Sequence, residues 1–216
     1  MDLQAVLFDF DYTLGDATDS IVVGFQYAMT KLGWPAPDRE AVRRTVGYML
    51  RDSYTMLTGD RDPERIEQFA TLFAERSLEM QIATTVLFPG AAELLHGLHD
   101  RGIALGVVSS KRSTSLNPVL ERLQVRPLLD ILIGGDMVDA PKPNPEGLLH
   151  AMELLHCPPE KLLFCGDTVL DAGAAQGAGC RFCAVLNGTT GAEAFAPYPC
   201  DFIAADLWAL KDWLQV

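Results

Sequence analysis

The sequence of 216 residues has no apolar run close to the roughly 20 residues that a membrane-spanning helix needs. No basic residues precede its first apolar run, which argues against a secretory signal peptide. Positive charge is also scarce, since 17 Lys and Arg residues stand against 29 Asp and Glu residues, for a formal net charge of −12. Because such a chain repels polyanions, we expect neither nucleic acid nor a membrane as a partner, and a cytoplasmic location is the default expectation.

The cysteines do not form a disulfide framework or a zinc site. The five are odd in number and scattered along the chain. Cys180 and Cys183 form a lone Cys-x-x-Cys, with neither a second pair nor a nearby histidine to complete a zinc ligand set. They flank an apolar run typical of a strand, which would point them to opposite faces of a sheet. We therefore expect buried structural thiols.

Short apolar runs recur along the chain and predict buried strands. The first covers residues 5–8 and stops at Asp9, and later runs stop at Ser109, Gly134, Asp167 and Asn187. Helical patterns separate the later runs. Strands that alternate with helices form parallel sheets with crossover connections. The predicted fold class is therefore α/β, with a Rossmann-like, doubly wound parallel sheet.

Residues 16–86 interrupt this alternation, because they contain no convincing strand. A helical stripe includes Ile21 and Phe25, Asp38 caps a second predicted helix, and Asp62-Pro63 opens a third. The run Pro89-Gly90 marks the return to the sheet. We expect residues 1–15 and 87–216 to form the core, and residues 16–86 to form a small all-helical domain inserted after the first strand.

Acidic side chains follow several predicted strands. Ligands of open parallel sheets bind beyond the carboxyl ends of the strands, where Asp9, Asp11, Ser109, Asp167 and Asp171 should meet. Carboxylates this close repel one another unless a cation lies between them. Oxygen ligands suit a hard cation, so the cluster predicts a Mg²⁺ site with room for a phosphate oxygen.

Phosphoryl transfer needs a nucleophile in line with the leaving group, neutralisation of charge, and an acid for the leaving oxygen. A carboxylate can be the nucleophile and form an aspartyl-phosphate. Lys142 lies in Lys142-Pro143-Asn144-Pro145, a stiff loop that can bring its charge to the site. Ser109, with backbone N–H groups near a helix start, can hold phosphate oxygens.

Four motifs occur in one order along the chain. They are Asp9-Phe10-Asp11-Tyr12-Thr13-Leu14, then Ser109-Ser110-Lys111, then Lys142-Pro143-Asn144-Pro145, then Gly166-Asp167-Thr168-Val169-Leu170-Asp171. With these motifs the chain resembles the haloacid dehalogenase superfamily, in its phosphoglycolate phosphatase and β-phosphoglucomutase branch. The resemblance covers nearly the whole chain, and it implies that the helical insertion is a mobile cap that excludes water from the reaction.

The resemblance also implies roles for individual residues. Asp9 would be the nucleophile, and Asp11 would protonate the leaving oxygen and then activate water. The phosphoryl group would be bound by Ser109, Ser110 and Lys142. The superfamily's dehalogenases lack an acid two residues after the nucleophile, because a halide leaves without a proton, so Asp11 favours phosphate ester chemistry.

The same resemblance implies a magnesium site made of carboxylates and one carbonyl. Asp9 and Asp167 would be direct ligands, and Asp11 would contribute its backbone carbonyl. Asp171 would be either a ligand or a partner of one.

Three further residues are candidates for substrate contact. Tyr12 stands where most relatives have Gly, so it gives up glycine's backbone freedom and places a ring near the hinge of the insertion. Lys111 is either a contact in the phosphate region or a plain surface charge. Arg51 either reads a carboxylate or a second phosphate, or is a solvated arginine on a helix face.

The leading prediction is a phosphatase that hydrolyses a small phosphorylated metabolite, either a phosphoglycolate-like acid or a sugar phosphate. One alternative is a phosphomutase of the β-phosphoglucomutase kind, which would return phosphate to the sugar. A less favoured alternative is a non-catalytic module that binds a phosphorylated ligand. The chain could act as a monomer or as a homodimer.

Overall fold

The predicted apolar runs form strands in the computed structural model, which describes residues 2–216. The strands in this range are β1 (Ala5–Phe8), β2 (Gly15–Asp16), β3 (Val86–Leu87), β4 (Ala104–Val108), β5 (Ile131–Ile133), β6 (Leu162–Gly166), β7 (Arg181–Val185) and β8 (Phe202–Ala204). Parallel pairing joins all of them except β2 and β3 into one sheet, in the order β5-β4-β1-β6-β7-β8. All four side chains of β1 are buried, as expected for a parallel strand covered on both faces.

Helices cover both faces of this sheet. Those of residues 2–216 are α1 (Thr18–Lys31), α2 (Arg39–Arg43), α3 (Leu50–Thr58), α4 (Pro63–Thr84), α5 (Ala91–Asp100), α6 (Ser113–Arg122), α7 (Glu146–Leu155), α8 (Val169–Ala178) and α9 (Leu207–Leu214). Helices α5, α6 and α9 share one core with the sheet, and α7 and α8 share another. Cys183 lies in the first core and Cys180 packs against the second, so the two thiols are on opposite sides, as predicted. The doubly wound fold is therefore confirmed.

The helical insertion has a core of its own. Phe25 on α1 meets Phe69 on α4 at a ring separation of 5.2 Å, and Tyr54 on α3 meets Phe69 at 4.9 Å. Asp38 caps α2 by accepting the N–H of Glu40 at 2.9 Å, as its position predicts. Such aromatic contacts stabilise packing beyond the area that they bury.

The sequence does not reveal several short elements. Helix α3 escapes prediction because its buried positions are Ser53 and Tyr54, and no aliphatic stripe marks it. Strands β2 and β3 have two residues each, and β8 has three, which is too short for a periodic pattern. Helix α7 begins one residue later than Asn144-Pro145 suggests, although the Asn144 side chain still accepts the N–H of Glu146 at 3.0 Å.

Strands β2 and β3 form an antiparallel ribbon between the sheet and the insertion. Gly15 pairs with Leu87 and Asp16 with Val86. Beside it, the Arg122 guanidinium on α6 donates to the carbonyl of Thr85. The boundaries expected for the insertion fall inside this ribbon, so the chain enters and leaves the insertion at one place.

We predict that residues 16–86 unfold as a separate cooperative unit. Phe69→Ala removes the ring at the centre of the insertion's core and should cost about 3–5 kcal/mol of local stability. Hydrogen exchange should accelerate through α1–α4 and stay unchanged in β1 and β6. The control is Phe164→Ala, which removes an equally buried ring from β6 and should accelerate exchange in the strands. Equal acceleration in the strands and the insertion of Phe69→Ala would contradict the division.

Candidate active site

The topology of the sheet brings three chain segments to one point. The connection from β1 runs to β4 on one side, and the chain later returns to β6 on the other side of β1. Such a reversal of strand order opens a crevice at the carboxyl ends of the strands. Asp9 follows β1, Ser109 follows β4 and Asp167 follows β6. The backbone N–H of Asp9 still donates to the carbonyl of Cys165 at 2.9 Å, so the neighbouring strand fixes its position.

Three carboxylates lie together in this crevice. One oxygen each from Asp9, Asp167 and Asp171 lie within 4.8 Å of one another, and all three residues are buried. Asp171 belongs to the first turn of α8, where it forms a capping box with Thr168. The Thr168 hydroxyl donates to Asp171 Oδ2 at 2.6 Å, and the Asp171 N–H bonds back to that hydroxyl at 3.3 Å. The cap therefore fixes the orientation of the Asp171 carboxylate.

Lys142 lies between two of these carboxylates. Its Nζ is 3.1 Å from Asp9 Oδ2 and 2.5 Å from Asp171 Oδ1, and its side chain is only 6% exposed. Burial opposes a charge on this amine, but the carboxylates of Asp171 and Asp9 outweigh it and raise the pKa of Lys142. The lysine is therefore a fixed positive charge at the floor of the site.

One positive charge does not balance three buried carboxylates. Burial raises the pKa of Asp9 to about 6, with a lowering by Lys142 and a further rise from Asp171. Burial, together with Asp171 and Asp9, also raises the pKa of Asp167 well above its ordinary value. Asp9 Oδ1 finds no hydrogen-bond partner among residues 2–216. An orphaned carboxylate oxygen beside two further carboxylates fits a hard divalent cation, which would supply the missing charge.

Asp11 lies apart from this trio. Its two oxygens are 3.2 Å and 3.0 Å from Nζ of Lys111, and the side chains of the pair are 13% and 9% exposed. Lys111 is thus a partly buried partner of Asp11, and the alternative of a plain surface charge does not hold. Both residues line a cavity that also contains Asp9, Ser109 and Ser110. The Ser109 hydroxyl accepts the N–H of Lys111 at 3.3 Å, which ties the Ser109–Lys111 loop together.

Arg51 lies at the edge of the same cavity. Its guanidinium is 3.7 Å from the Asp52 carboxylate, and 59% of its side chain is exposed. Of the candidate residues, Asp9, Asp167, Asp171 and Lys142 form one cluster. Asp11, Lys111, Ser109 and Ser110 form the wall next to it, and Arg51 remains solvated at its rim.

Tyr12 adopts the left-handed backbone conformation that glycine would allow, with φ of +63°. A tyrosine in this region costs on the order of 1 kcal/mol, so other contacts must hold it there. Its ring is buried, its hydroxyl is 2.9 Å from Thr18 Oγ1, and the Arg43 guanidinium lies 5.7 Å from the ring centre. The expectation that Tyr12 forgoes this conformation is therefore wrong, although its ring does lie at the hinge.

Several supporting residues escaped sequence reasoning. The Thr13 hydroxyl donates to Asp167 Oδ1 at 3.2 Å, and the Asn187 amide donates to the Thr13 carbonyl at 3.1 Å. A Cβ atom at Gly188 would lie 2.1 Å from Asp167 Oδ2, so only glycine fits there. The Thr-x-x-Asp spacing of a capping box was visible in the sequence, whereas the contacts across strands were not.

A comparison with known proteins agrees with this geometry. A family model described as haloacid dehalogenase-like hydrolase matches residues 6–185. A phosphoglycolate phosphatase from Salmonella typhimurium is 31% identical over 215 residues, covering 90% of this chain and 85% of that protein. "Probable phosphatase IndB" from Dickeya dadantii is 34% identical over 179 residues, covering 81% and 77%.

Solved structures show the same similarity. A haloacid dehalogenase-like hydrolase from Bacteroides fragilis superimposes with a TM-score of 0.93 at 36% identity, covering 96% of this chain and 99% of that one. Among residues 2–216, no helix combines the length and the apolarity needed to cross a bilayer.

We predict that Asp9→Asn stabilises the metal-free protein at pH 7. Because the folded state raises the pKa of Asp9 from 3.8 to about 6, it binds more protons than the unfolded chain between these values. Stability from this group is therefore lost as the pH rises through that window. The variant should gain about 1–3 kcal/mol at pH 7 and much less at pH 4, measured by denaturant unfolding with a chelator present.

Asp136→Asn is the control with the opposite sign. The Asp136 carboxylate accepts the N–H of Ser113 at 2.6 Å and its hydroxyl at 3.0 Å, so neutralising it should destabilise the protein. A loss of stability in Asp9→Asn at pH 7 would contradict the view that Asp9 is an under-compensated buried charge.

We also predict that the Tyr12 hydroxyl stabilises the start of α1. Tyr12→Phe should cost about 1 kcal/mol of unfolding free energy and accelerate amide exchange near Thr18, because a buried hydroxyl contact is lost. Tyr27→Phe removes an exposed hydroxyl 3.2 Å from Glu75 and should change stability by less than about 0.5 kcal/mol. Equal effects of the two substitutions would show that the Tyr12 hydroxyl has no special role.

Proposed function

This chain belongs to the family of haloacid dehalogenase-like hydrolases and is a phosphatase, and from that premise we propose that it hydrolyses a small phosphomonoester through an aspartyl-phosphate on Asp9. The observation that carries the proposal is the pair of environments at Asp9. Lys142 binds Oδ2 at 3.1 Å, while Oδ1 has no partner among residues 2–216 and the residue lines the cavity. A carboxylate held by one oxygen can attack with the other.

Each bond change in the proposed reaction has a group to support it. An Asp9 oxygen attacks phosphorus, the bond from phosphorus to the leaving oxygen breaks, and that oxygen takes a proton from Asp11. Water then attacks the phosphorus of the aspartyl-phosphate and gives its proton to Asp11, which releases inorganic phosphate and restores Asp9. Lys142, Ser109 and Ser110 bind the phosphoryl oxygens during both steps.

Lys111 orients the proposed acid. It holds both oxygens of the Asp11 carboxylate in a partly buried position beside the cavity. An arriving phosphate dianion would compete with Asp11 for this ammonium group. Losing its counter-charge favours the protonated form of Asp11, which is the form that the first step needs.

The residues around Asp9 fit a magnesium ion. Asp9, Asp167 and the Asp11 carbonyl would hold it, and Asp171 would be a further ligand or the partner that anchors Lys142. The bound ion would neutralise charge that develops on the phosphoryl oxygens. Oxygen donors from several carboxylates favour Mg²⁺ over softer metals.

The substrate class rests on the relatives. Proteins named phosphoglycolate phosphatase share about 30% of this sequence over most of its length, which supports a small phosphorylated metabolite. We keep the cytoplasm as the expected location, and either a monomer or a homodimer as the acting form.

The test is phosphate release from an aryl phosphate such as p-nitrophenyl phosphate. Asp9→Asn should lower kcat by at least about a thousandfold, because it removes the nucleophile. A chelator should stop turnover, and added Mg²⁺ should restore it. Beryllium fluoride with Mg²⁺ should mimic the phosphorylated aspartate and block the enzyme.

The matched control is Asp212→Asn, which neutralises an exposed carboxylate on α9 and should leave turnover unchanged. Turnover that survives in Asp9→Asn would overturn the covalent mechanism, and turnover that survives the chelator would overturn the metal. Conversion of a sugar phosphate to its isomer without phosphate release would favour the mutase.

A further inference from the structure

The cavity above Asp9 and Asp11 lies between the sheet and the helical insertion. Its volume is about 290 Å³, near the lower end of the range for pockets that hold drug-sized ligands. The loop between α2 and α3 covers it from one side. In that loop, Gly47 has φ of +100° and packs so closely on Thr168 that a Cβ would approach its methyl group to 2.9 Å. Met49 packs against Gly135 in the same way, so a leaving group would enter a covered chamber.

The part of the chamber formed by the insertion is largely hydrocarbon. The apolar side chains that line it come from α1, α4 and the α2–α3 loop, and include Ile21, Phe25, Val46, Leu50, Phe73 and Leu78. Ala70 and Ala74 on α4 also line it, and their small side chains leave room near the Phe73 ring. Surfaces of this kind gain free energy by covering carbon atoms of a ligand.

The cations that line the chamber already face carboxylates of this chain. Lys111 binds Asp11 at 3.0 Å, and Arg51 is solvated beside Asp52. Arg112 is exposed, and its charge lowers the pKa of Asp136. A second anionic group on the substrate would therefore enter an apolar space without a free counter-charge, which is unfavourable.

The buried polar side chains of the insertion also have internal partners. Gln81 Nε2 donates to Ser77 Oγ at 3.0 Å, and Ser53 Oγ donates to the Thr45 carbonyl at 3.1 Å. These bonds leave few polar groups to read the hydroxyls of a sugar. A chamber that was shaped for a sugar or an acid would present unpaired donors instead.

We propose that the preferred leaving group is uncharged and mainly apolar, a short alkyl or aryl alcohol, and that phosphoglycolate is a poor substrate. This inference rests on the proposed function, since it assigns the leaving group at the same site. It departs from the names of the relatives, because identity of about 30% is concentrated where phosphate chemistry is shared, while the insertion sets the leaving group.

The experiment compares kcat/KM for methyl, butyl and hexyl phosphate with that for 2-phosphoglycolate. The value should rise by about fourfold for each methylene added, until the chamber is filled. 2-Phosphoglycolate should fall at least about tenfold below butyl phosphate, because its carboxylate must enter the apolar part without a counter-ion.

Variants on α4 locate the effect in the chamber. Ala74→Phe narrows the chamber at a position exposed enough to accept a ring, and should lower kcat/KM for hexyl phosphate about tenfold while methyl phosphate is unchanged. Leu78→Arg supplies a cation and should raise the ratio of phosphoglycolate to butyl phosphate about tenfold. Thr71→Phe, at an exposed position of α4 outside the lining, should change neither ratio.

The outcomes separate this inference from the proposed function. If methyl phosphate and phosphoglycolate are hydrolysed through Asp9 but longer alkyl chains bring no gain, the phosphatase mechanism stands and the apolar leaving group is wrong. Preference for phosphoglycolate over butyl phosphate in the unmodified enzyme would overturn the inference equally. If no phosphate in the series is hydrolysed in an Asp9-dependent way, the proposed function fails and this inference fails with it.

Discussion

The ammonium group of Lys142, held between Asp9 and Asp171, is the interaction on which the site depends. Three carboxylates could not be buried within a few ångströms of one another without a charge of opposite sign in contact with them. The lysine partly satisfies the trio and leaves one oxygen of Asp9 without a partner. The arrangement is therefore under-compensated, and this is what gives the site its affinity for a cation and a phosphoryl group.

The second constraint is the placement of the helical insertion over this charged floor. The β2–β3 ribbon joins the insertion to the sheet at one place, and Tyr12 holds a strained backbone there through its hydroxyl and ring contacts. The Gly47 loop then reaches back to Thr168, whose hydroxyl also fixes Asp171. Contacts of the covering loop and the geometry of the acidic cluster thus converge on one short segment after β6. Charge chemistry on the floor and apolar selection above it share a single chamber.

Prediction from the sequence succeeded where a pattern is local. Buried strands read as apolar runs, Asp38 caps a helix because its side chain reaches a backbone N–H two residues on, and the acidic residues follow strands that must end at one edge. It failed where the signal is short or its partner is distant. The two-residue strands β2 and β3 have no periodicity, and α3 buries Ser53 and Tyr54 on the face where aliphatic residues would have announced it.

The sequence by itself determined the order of the elements, the sheet that they form and the identity of the charged groups at its edge, because these follow from local periodicity and the rules of parallel connection. Only the tertiary structure decided which charges pair. Lys111 meets Asp11 across 100 residues, Lys142 meets Asp171 across 29, and Thr13 meets Asp167 across 154. Such pairings depend on the twist of the sheet and the packing of loops, which no window of sequence contains. The same holds for the apolar chamber, whose walls come from three separate parts of the insertion and take shape only when these pack together.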